Sequence, residues 1–533
     1  MKSRTIVFAL AVLCAPSWAQ SVDGDAARAE AWFNHAIELH PDLADDHDAL
    51  VRLMGATAPA YLSMALMEEM RGNTAKSVEY LQLATQVAPN DADAAYYYAM
   101  SWRNVDPLEY RKLAEAVAIR FPRSDRGAQA LYWLALDTPL LQDRIDLLEH
   151  YKLPFGRSDS FPRELLNDAY LQTDLDKASP VDLASSLYIA GLKNARDRLR
   201  RGNPDEARIA IRLLEDVESP GLPPQMSHTP FYLMKAAARG ELAGYQSLIE
   251  AMAKEPSDIL RDALNHYGEK VGKTPAQIQA DVRTKLLARA TSAEPFELTG
   301  FDGAKVSLAD YRGKVVLVNY WHPACAACRA EDPFLQQTLR KFGARQMAVL
   351  SVNVRAAEDV YVLPYLRGNG YYITPLHGDG GARDTPANVL IDQEGRIVYQ
   401  RGAVRGAVDA RELELHIETL LSHPDPGPLA PGDRVPDFAF IDLAGKHRDL
   451  HEYYGDVTLI DFCAACDAEA ADMKKIATLR VADPTAGRLA SELFGMKTLP
   501  ARALIDAEGR LIGRVDKPGD LDSLLAGRVA GGR

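Results

Sequence analysis

Apolar residues recur at helical spacing through the first half of the chain. They stand three and four positions apart in residues 29–39, 77–87 and 207–214, with little of the alternation that is typical of strands. Turn residues separate these stretches, at Gly72-Asn73, Pro89-Asn90-Asp91 and Gly202-Asn203-Pro204. The pattern therefore predicts an all-α region over residues 20–288.

A repeated unit is visible within this helical region. Gly72 opens a helix, Leu81 and Ala84 share one face of it, and Pro89 closes the unit; Pro122 follows Pro89 by 33 residues. The unit resembles the tetratricopeptide repeat, whose period is about 34 residues and whose stacked helix pairs offer a concave surface to a protein partner. A helical array without a regular repeat remains the alternative. The aromatic residues that line such a surface, unless they belong to the core, are Tyr96, Tyr97, Tyr98 and Trp133.

The pattern changes near Ser292, where short apolar runs bounded by turn residues predict strands with helical stretches between them. In the first block the predicted strands are Phe296–Leu298, Val306–Leu308, Val315–Tyr320, Ala348–Val354, Asn388–Ile391 and Ile397–Gln400. A Pro-rich linker over residues 422–428 precedes a second block. Its predicted strands are Phe438–Ile441, Thr458–Phe462, Ala501–Ile505 and Leu511–Arg514. The two blocks predict α/β domains over residues 293–421 and 430–533.

The two blocks are internal copies of each other. Residues 313–320 align with residues 455–462, and Thr385-Pro386 aligns with Leu499-Pro500. From the last cysteine of each block to its proline there are 58 residues in the first copy and 34 in the second. We therefore expect the second copy to be truncated.

Composition and charge narrow the function classes. The 533 residues are 47% hydrophobic and 25% charged, which is typical of a globular protein with about three domains. The formal net charge is −13, and no basic run offsets it. Because an acidic surface repels phosphate backbones, we expect no nucleic-acid partner.

The first 19 residues have the three parts of a secretory signal peptide. Lys2 and Arg4 are positive, residues 6–15 are apolar, and Ser17 and Ala19 are small residues at the positions that a signal peptidase reads. An uncleaved anchor is the alternative, but the apolar stretch is short for a bilayer. We therefore expect cleavage of residues 1–19 and export to the periplasm.

The chain has five cysteines, and one of them, Cys14, lies in the predicted leader. The other four form two C-x-x-C pairs of identical sequence, Cys325/Cys328 and Cys463/Cys466. An exported protein of this size needs no disulfide staples, so the pairs indicate redox chemistry. The alternatives are a four-thiolate zinc site and capture of a soft metal such as Cu(I) by one pair. No metal and no organic cofactor is required, because the thiols themselves carry two electrons.

The first pair follows a buried strand and precedes a helical stretch. Cys325 is therefore expected at a helix N-terminus, where backbone N–H groups stabilise an accessible thiolate. The two-residue spacer lets Cys328 reach back and resolve a mixed disulfide. Pro386 stands just before a strand and is a candidate cis-proline beside the cysteines. His322 is interpreted as a solvated loop residue, and a source of positive charge near the cysteines is the alternative.

This arrangement resembles the thioredoxin fold, in particular its exported TlpA-like branch, which is related to the AhpC/TSA proteins. The resemblance covers residues 293–421 and is carried by Phe296-Glu297-Leu298, Asp302-Gly303, Tyr311-Arg312-Gly313-Lys314, Trp321, the C-x-x-C pair, Arg329, Glu331 and Thr385-Pro386. It implies that Cys325 is the nucleophile, Cys328 the resolving thiol, Pro386 the cis-proline and Trp321 a neighbouring site residue. For a reductase it also implies a membrane-embedded electron donor.

Two departures from the family leave questions open. Asn319 stands where thioredoxin itself has a buried acid, which removes one general base. The Ala-Ala spacer does not reveal the direction of electron flow. A peroxiredoxin fits less well, because His322 stands where those enzymes have Thr or Ser.

The second pair is interpreted with two alternatives. Asp461 is equivalent to Asn319, and four residues present in the first copy are missing before Cys463, so this cysteine falls at the strand end. Cys463, Cys466 and Pro500 are a possible second redox site, and a structural disulfide is the alternative.

The sequence therefore predicts an exported thiol-disulfide oxidoreductase that acts on protein disulfides through Cys325 and Cys328. An alternative is a helical-repeat binding or scaffold protein whose thioredoxin-like domains recognise partners or handle copper. Electron relay between the two C-x-x-C pairs is a third hypothesis.

Overall fold

The structure of the chain is a computed structural model. It describes residues 17–44, 46–138, 140–151, 160–180, 182–223, 226–378, 384–421, 428–436, 438–441, 447–453, 456–463, 477–481, 486–507, 509–515, 517 and 520–525. Most of the predicted leader, most of the Pro-rich linker and Cys466 lie outside these ranges.

The helices begin where the sequence supplies a cap. The predicted turn at residues 89–91 ends in Asp91, whose carboxylate accepts a hydrogen bond from Ala94 N at 2.9 Å. In the predicted turn at residues 202–204, Asn203 caps the helix that follows in the same way. Pro204 takes the first position of that helix, where no backbone N–H is needed. The helices are α1 Ser17–Leu39, α2 His47–Leu53, α3 Ala58–Met70, α4 Thr74–Val87, α5 Ala92–Ser101, α6 Pro107–Arg120, α7 Asp125–Leu136, α8 Leu141–His150, α9 Ser160–Thr173, α10 Leu183–Leu199, α11 Pro204–Glu218, α12 Thr229–Arg239, α13 Glu241–Lys254, α14 Asp258–Lys270, α15 Pro275–Leu287, α16 Ala326–Phe342, α17 Asp359–Asn369, α18 Ala407–Leu420 and α19 Ala486–Phe494.

The chain divides into two compact units, Met1–Ser63 with Leu81–Ile278, and Met64–Tyr80 with Gln279–Arg533. The first unit is helical, and most successive helices in it pack against each other. The aromatic residues proposed to line a concave surface include two that are core residues. Tyr96 and Trp133 are buried, and Trp133 Nε1 donates a hydrogen bond to Tyr96 Oη at 3.1 Å. Among the helices that the structure describes, none is both long and apolar enough to cross a bilayer.

The second unit contains a six-stranded mixed sheet. Its strands are β1 Thr291–Ser292, β4 Val315–Trp321, β5 Met347–Asn353, β6 Thr374–His377, β7 Ala387–Ile391 and β8 Arg396–Arg401. Their order across the sheet is β1-β8-β7-β4-β5-β6. The central strand β4 runs parallel to β5 and antiparallel to β7, and six of its seven residues are buried. Burial on both faces is why this strand is apolar at nearly every position, with Asn319 as a buried polar residue.

A hairpin precedes the sheet and helps to close its core. Its strands are β2 Glu297–Thr299 and β3 Lys305–Ser307. Val306 and Leu308 pack with the apolar residues Val316, Val318, Leu350, Val352, Leu376 and Ile391. The sequence pattern did not predict β1, which has only two residues, or β6, which contains Pro375. Proline in a strand is tolerated here because β6 is an edge strand.

The C-terminal block has a hairpin, β9 Ala439–Ile441 with β10 His447–Asp449, and four further strands. These are β11 Thr458–Phe462, β12 Ala477–Val481, β13 Ala501–Ile505 and β14 Leu511–Arg514. They form a sheet of order β12-β11-β13-β14. β11 is parallel to β12 and antiparallel to β13, and β13 is antiparallel to β14. The segment β5-β4-β7-β8 of the larger sheet has the same order and the same directions.

One part of the predicted helical domain belongs to the second unit. The end of α3 and the start of α4, residues 64–80, lie in this unit, and the backbone at Gly72 lies against Pro364 and Gly368 of α17. A Cβ atom on Gly72 would overlap the Pro364 carbonyl, and one on Gly368 would overlap the backbone of Gly72. The absence of side chains at both glycines therefore permits this close approach.

We expect Gly368→Ala to lower the stability of the second unit, because the added methyl group overlaps the backbone of Gly72. Overpacking of this kind costs about 1–3 kcal/mol. Thermal unfolding followed by circular dichroism checks the prediction. Gly487→Ala is the matched control, since its Cβ meets its nearest atom, of Leu499, at an ordinary 3.8 Å. A G368A chain that unfolds at the wild-type temperature or above it contradicts the close contact.

Candidate active site

The first cysteine pair lies where β4 passes into α16. β4 ends at Trp321, a short loop follows, and Cys325 is the N-cap residue of α16. The backbone N–H of Cys328 donates to Cys325 Sγ at 3.1 Å, and the two sulfurs form a disulfide. The end of the strand and the start of the helix therefore place Cys325 where unpaired amide groups and the helix dipole favour negative charge on sulfur.

Both sulfurs are buried, which differs from the accessible thiolate that the sequence suggested. Cys325 is 1% exposed and Cys328 is fully covered. The loop before them, residues 321–324, is buried as well. A substrate therefore reaches Cys325 only when part of this surface moves.

Trp321 and Pro386 meet at the same end of the sheet. Tyr320 pairs with Ala387, so Pro386 lies across from Trp321 in the register of β4 and β7. The peptide bond between Thr385 and Pro386 is cis, and Pro386 is buried. The Trp321 ring packs against Tyr365, with 5.5 Å between centroids. These residues form the wall beside the loop that leads to Cys325.

A buried acid stands one helical turn after the cysteines. Glu331 is fully covered and accepts hydrogen bonds from Asn319 Nδ2 at 2.7 Å, Asn388 Nδ2 at 3.1 Å and Val404 N at 2.7 Å. Burial raises the pKa of Glu331 to about 8, although these hydrogen bonds act to lower it. Residues three apart are neighbours on a helix surface, so Glu331 and Cys328 share one face of α16.

Glu331 provides the buried acid that is missing from the strand position of Asn319. The strand position of the thioredoxin acid holds an amide, and the carboxyl group that binds to this amide comes from the helix instead. The sequence contained Glu331 as part of the family pattern. Its pairing with Asn388 was not predicted, because that contact joins residues 57 positions apart.

Asp332 is a second buried acid, next to Glu331 in the chain. Its Oδ2 accepts a hydrogen bond from Tyr365 Oη at 2.9 Å. Burial raises the pKa of Asp332 to about 7. Two adjacent carboxyl groups of α16 therefore titrate near neutrality rather than in the ordinary acidic range.

His322 is not the solvated loop residue that the sequence suggested. It is 1% exposed, and its Nδ1 lies 3.0 Å from Glu358 Oε2. The same carboxylate oxygen accepts the backbone N–H of Ala324 at 2.7 Å. Burial acts to raise the pKa of Glu358, but the hydrogen bond and charge of His322, with the N–H of Ala324, hold it below the ordinary value. The sequence gave no signal for this pair, whose members are 36 residues apart.

Arg329 connects the loop to residues 64–80 of the same unit. Its Nη1 donates to the Pro323 carbonyl at 2.6 Å, and its Nε lies 3.2 Å from Glu69 Oε1. Glu69 belongs to the end of α3, one turn before Gly72. The surface of the second unit next to the cysteines is therefore occupied by this helical segment.

The second copy places its candidate residues differently. Asp461 pairs in register with Arg502, as Asn319 does with Asn388, and their side chains form an ion pair at 3.1 Å. Cys463 follows β11 directly, its N–H donates to the Val481 carbonyl at 3.1 Å, and it is disulfide-bonded. By this register Cys463 is the counterpart of Trp321.

The remaining second-site residues differ in what the structure describes of them. The peptide bond before Pro500 is cis, and Pro500 is exposed, whereas Pro386 is buried. Cys466 lies outside the described residues. Within the described ranges, no group of three or more His, Cys, Asp or Glu side chains is placed to hold a metal ion.

Comparison with known proteins finds similar sequences and structures for the region that contains the first cysteine pair. The profile of the AhpC/TSA family matches residues 290–404. The thioredoxin-like protein YneN of Bacillus subtilis is 30% identical over 131 residues, which cover 24% of this chain and 76% of YneN. The thiol-disulfide oxidoreductase ResA of Geobacillus kaustophilus is 26% identical over 149 residues, covering 25% of this chain and 79% of ResA. A crystal structure of the exposed lipoprotein thioredoxin Etrx1 of Streptococcus pneumoniae aligns at 26% identity with a TM-score of 0.20, covering 23% of this chain and 98% of Etrx1.

We expect Glu331→Gln to flatten the pH dependence of stability between about pH 5 and 8. An unfolded glutamate ionises near 4.5, and folding raises the pKa of Glu331 to about 8. Between these values the folded state keeps a proton that the unfolded state has lost. The free energy of unfolding therefore falls by up to about 1.4 kcal/mol per pH unit as the pH rises.

Urea unfolding at several pH values measures this slope. Asp332 contributes its own slope up to about pH 7, so E331Q is expected to reduce the fall and not to abolish it. Glu297→Gln, at an exposed position, is the control and keeps the wild-type slope. An E331Q slope equal to that of the wild type shows that Glu331 is ionised in the folded protein.

Proposed function

The chain belongs to the AhpC/TSA family of thioredoxin-like thiol-disulfide oxidoreductases, and on this premise we propose that it exchanges disulfides with protein substrates outside the cytoplasm through Cys325 and Cys328. The observation that carries the proposal is the Cys325–Cys328 disulfide at the first turn of α16. A cysteine in that position has the amide groups and dipole that stabilise a thiolate.

The proposed cycle starts from the reduced pair. The Cys325 thiolate attacks one sulfur of a substrate disulfide, and the other substrate sulfur leaves as a thiolate, which takes up a proton. Cys328 then loses its proton and attacks Cys325 Sγ, which releases the second substrate thiolate and forms the Cys325–Cys328 disulfide. The substrate gains two electrons and the protein loses two. The reverse sequence oxidises a dithiol.

Glu331 is the proposed proton acceptor for Cys328. It lies one turn along the same helix, and burial raises its pKa to about 8, within reach of a thiol's ordinary value. Three neutral donors, from Asn319, Asn388 and Val404, surround its carboxyl group. These donors stabilise the ionised form of Glu331, which is the minor form near neutrality and the form that accepts the Cys328 proton. The protonated carboxyl group that results then releases this proton.

Access to Cys325 is the second requirement of this proposal. The sulfur is 1% exposed, and Glu69 holds Arg329 beside the loop. We propose that a protein substrate displaces this cover. The ion pair joins a half-exposed carboxylate to a buried guanidinium, and Arg329 keeps its hydrogen bond to the Pro323 carbonyl when Glu69 moves away.

The other parts of the chain have proposed roles that follow from the sequence. The helical region, residues 20–288, is proposed to be tetratricopeptide-like and to hold a protein partner. The block over residues 430–533 is proposed to be a second, truncated thioredoxin-like domain, which is supported by the shared strand order. Cys463, Cys466 and Pro500 are its proposed accessory redox site. A membrane-embedded electron donor is the proposed source of reducing equivalents when the protein works as a reductase.

We expect the purified chain to reduce insulin disulfides with dithiothreitol as electron source, and Cys325→Ser to lower that rate to the uncatalysed level, because no thiolate remains to attack. Cys328→Ser is expected to accumulate a mixed disulfide with the substrate, since nothing resolves it. Non-reducing electrophoresis detects this species. Glu297→Gln, at an exposed position of β2, is the control and is expected to keep the wild-type rate. Insulin reduction that is unchanged in C325S disproves the assignment of the nucleophile.

We expect the first 19 residues to direct export. Mass spectrometry of the mature protein from a periplasmic fraction is expected to find an N-terminus at Gln20. A chain that keeps residues 1–19 and stays in the cytoplasmic fraction contradicts the proposed compartment.

A further inference from the structure

A buried histidine lies three residues before Cys325, and the exchange chemistry above does not use it. His322 follows the last residue of β4, and its carbonyl accepts the backbone N–H of Cys325 at 3.0 Å. One short loop therefore fixes both the imidazole and the N-cap cysteine. A covered histidine in such a loop needs a physical account, because burying a polar group without partners is costly.

Only one edge of the imidazole has a partner among the described residues. Nδ1 lies 3.0 Å from Glu358 Oε2, whereas Nε2 is buried without a hydrogen bond to any described group. Since a carboxylate oxygen only accepts, Nδ1 carries the hydrogen of this contact. Nε2 is therefore the ring nitrogen without a described partner, and it is covered from solvent.

The charged group that faces the imidazole is negative. Glu358 faces Nδ1, and its low pKa keeps it negative. Arg355 Nη1 binds the other Glu358 oxygen at 3.2 Å, on the side away from the ring. Arg329 binds the Pro323 carbonyl of the loop and is neutralised by Glu69. On α16, the buried acids Glu331 and Asp332 hold their protons near neutrality because burial raises their pKa values.

The reduced Cys325 is a negative charge that needs stabilisation. When the disulfide is reduced, Cys325 Sγ becomes a negative charge at a site that is 1% exposed. The N–H of Cys328, 3.1 Å away, supplies part of the compensation. A thiolate with so little water around it also requires a nearby cation.

We propose that His322 is a positioning residue for Cys325: protonated and held by Glu358, it supplies the positive charge that stabilises the Cys325 thiolate. This inference rests on the proposed function of the cysteine pair. Reduction by a dithiol then balances as follows. The S–S bond breaks, the dithiol gives up two electrons and two protons, one proton goes to Cys328 Sγ, and the other goes to His322 Nε2. Cys325 remains a thiolate beside the imidazolium.

Two measurements on the full-length protein test the inference. The first is the rate of iodoacetamide alkylation of reduced Cys325 against pH, in a Cys328→Ser background. The second is the equilibrium of the Cys325–Cys328 pair with glutathione. His322→Asn keeps a donor toward Glu358 but cannot be protonated. It is expected to raise the pKa of Cys325 and to shift the glutathione equilibrium about tenfold toward the disulfide, which corresponds to about 30 mV.

Glu358→Gln keeps the size of the side chain and removes the charge that holds the imidazolium, so it is expected to shift both measurements in the same direction. His377→Gln is the matched control. His377 also pairs with a carboxylate, at 2.9 Å from Asp359, but it lies on the edge strand β6. It is expected to leave both values within twofold of the wild type.

Each outcome decides the matter. H322N and E358Q values within twofold of the wild type overturn the inference, because a merely structural histidine leaves the potential unchanged. A wild-type Cys325 that titrates at or above the ordinary thiol value of about 8.5 overturns it without any variant. Absence of insulin reduction by a wild type with a low Cys325 pKa disproves the proposed function and leaves this inference standing.

Discussion

Burial of the Cys325–Cys328 pair is the constraint on which the rest of the site depends. A thiolate is the reactive form of cysteine, and a charge that is covered from water is stable only when nearby groups replace its hydration. The first turn of α16 supplies oriented amide groups, and the buried His322 belongs to the loop that leads to them, with its carbonyl bound to the N–H of Cys325. The polar groups of this loop and helix therefore share one task, which is to replace the hydration of a sulfur atom that is covered from water.

Two buried carboxyl groups near the cysteines are expected to have opposite charge states. Glu331 receives only neutral donors, so burial dominates and its pKa rises to about 8. Glu358 faces His322 and Arg355, so its pKa falls below the ordinary value although burial acts against this. One group can take up a proton near neutrality, and the other provides a fixed negative charge. The same residue type thus serves two functions, which its surroundings select.

The parts of this structure that local pattern determines could be predicted from the sequence. β4, β11, β13 and β14 are mainly apolar, and their bounds match the predicted ones to within one residue. The position of Cys325 at a helix start follows from a strand, a loop and a helical stretch in order. The edge strand β6 was missed because Pro375 breaks the pattern that identifies strands.

The contacts that decide the chemistry are between residues far apart in the chain, and no spacing rule predicts them. His322 was interpreted as solvated because the residues around it resemble a loop, and its partner Glu358 follows only after a complete strand. The contact of Glu69 with Arg329 has no signal in the sequence for the same reason, since the two residues are 260 positions apart. The local sequence determines the secondary-structure element to which a residue belongs. Tertiary packing determines the exposure and the charge state of its side chain.

The C-terminal sheet shows that the same strand arrangement can carry different residues at the positions of the candidate site. It has the strand order and directions of the larger sheet, yet Asp461 is neutralised by Arg502 where Asn319 binds a neutral amide and a buried acid. Cys463 occupies the register position of Trp321, because the residues that separate strand and cysteine in the first copy are missing. Cys463 lies at a strand end, where its backbone N–H bonds to Val481 of the neighbouring strand, whereas Cys325 is the N-cap residue of α16. In the larger sheet, the loop between β4 and α16 carries the cysteine from the strand end to a helix start, where backbone amide groups stabilise a thiolate.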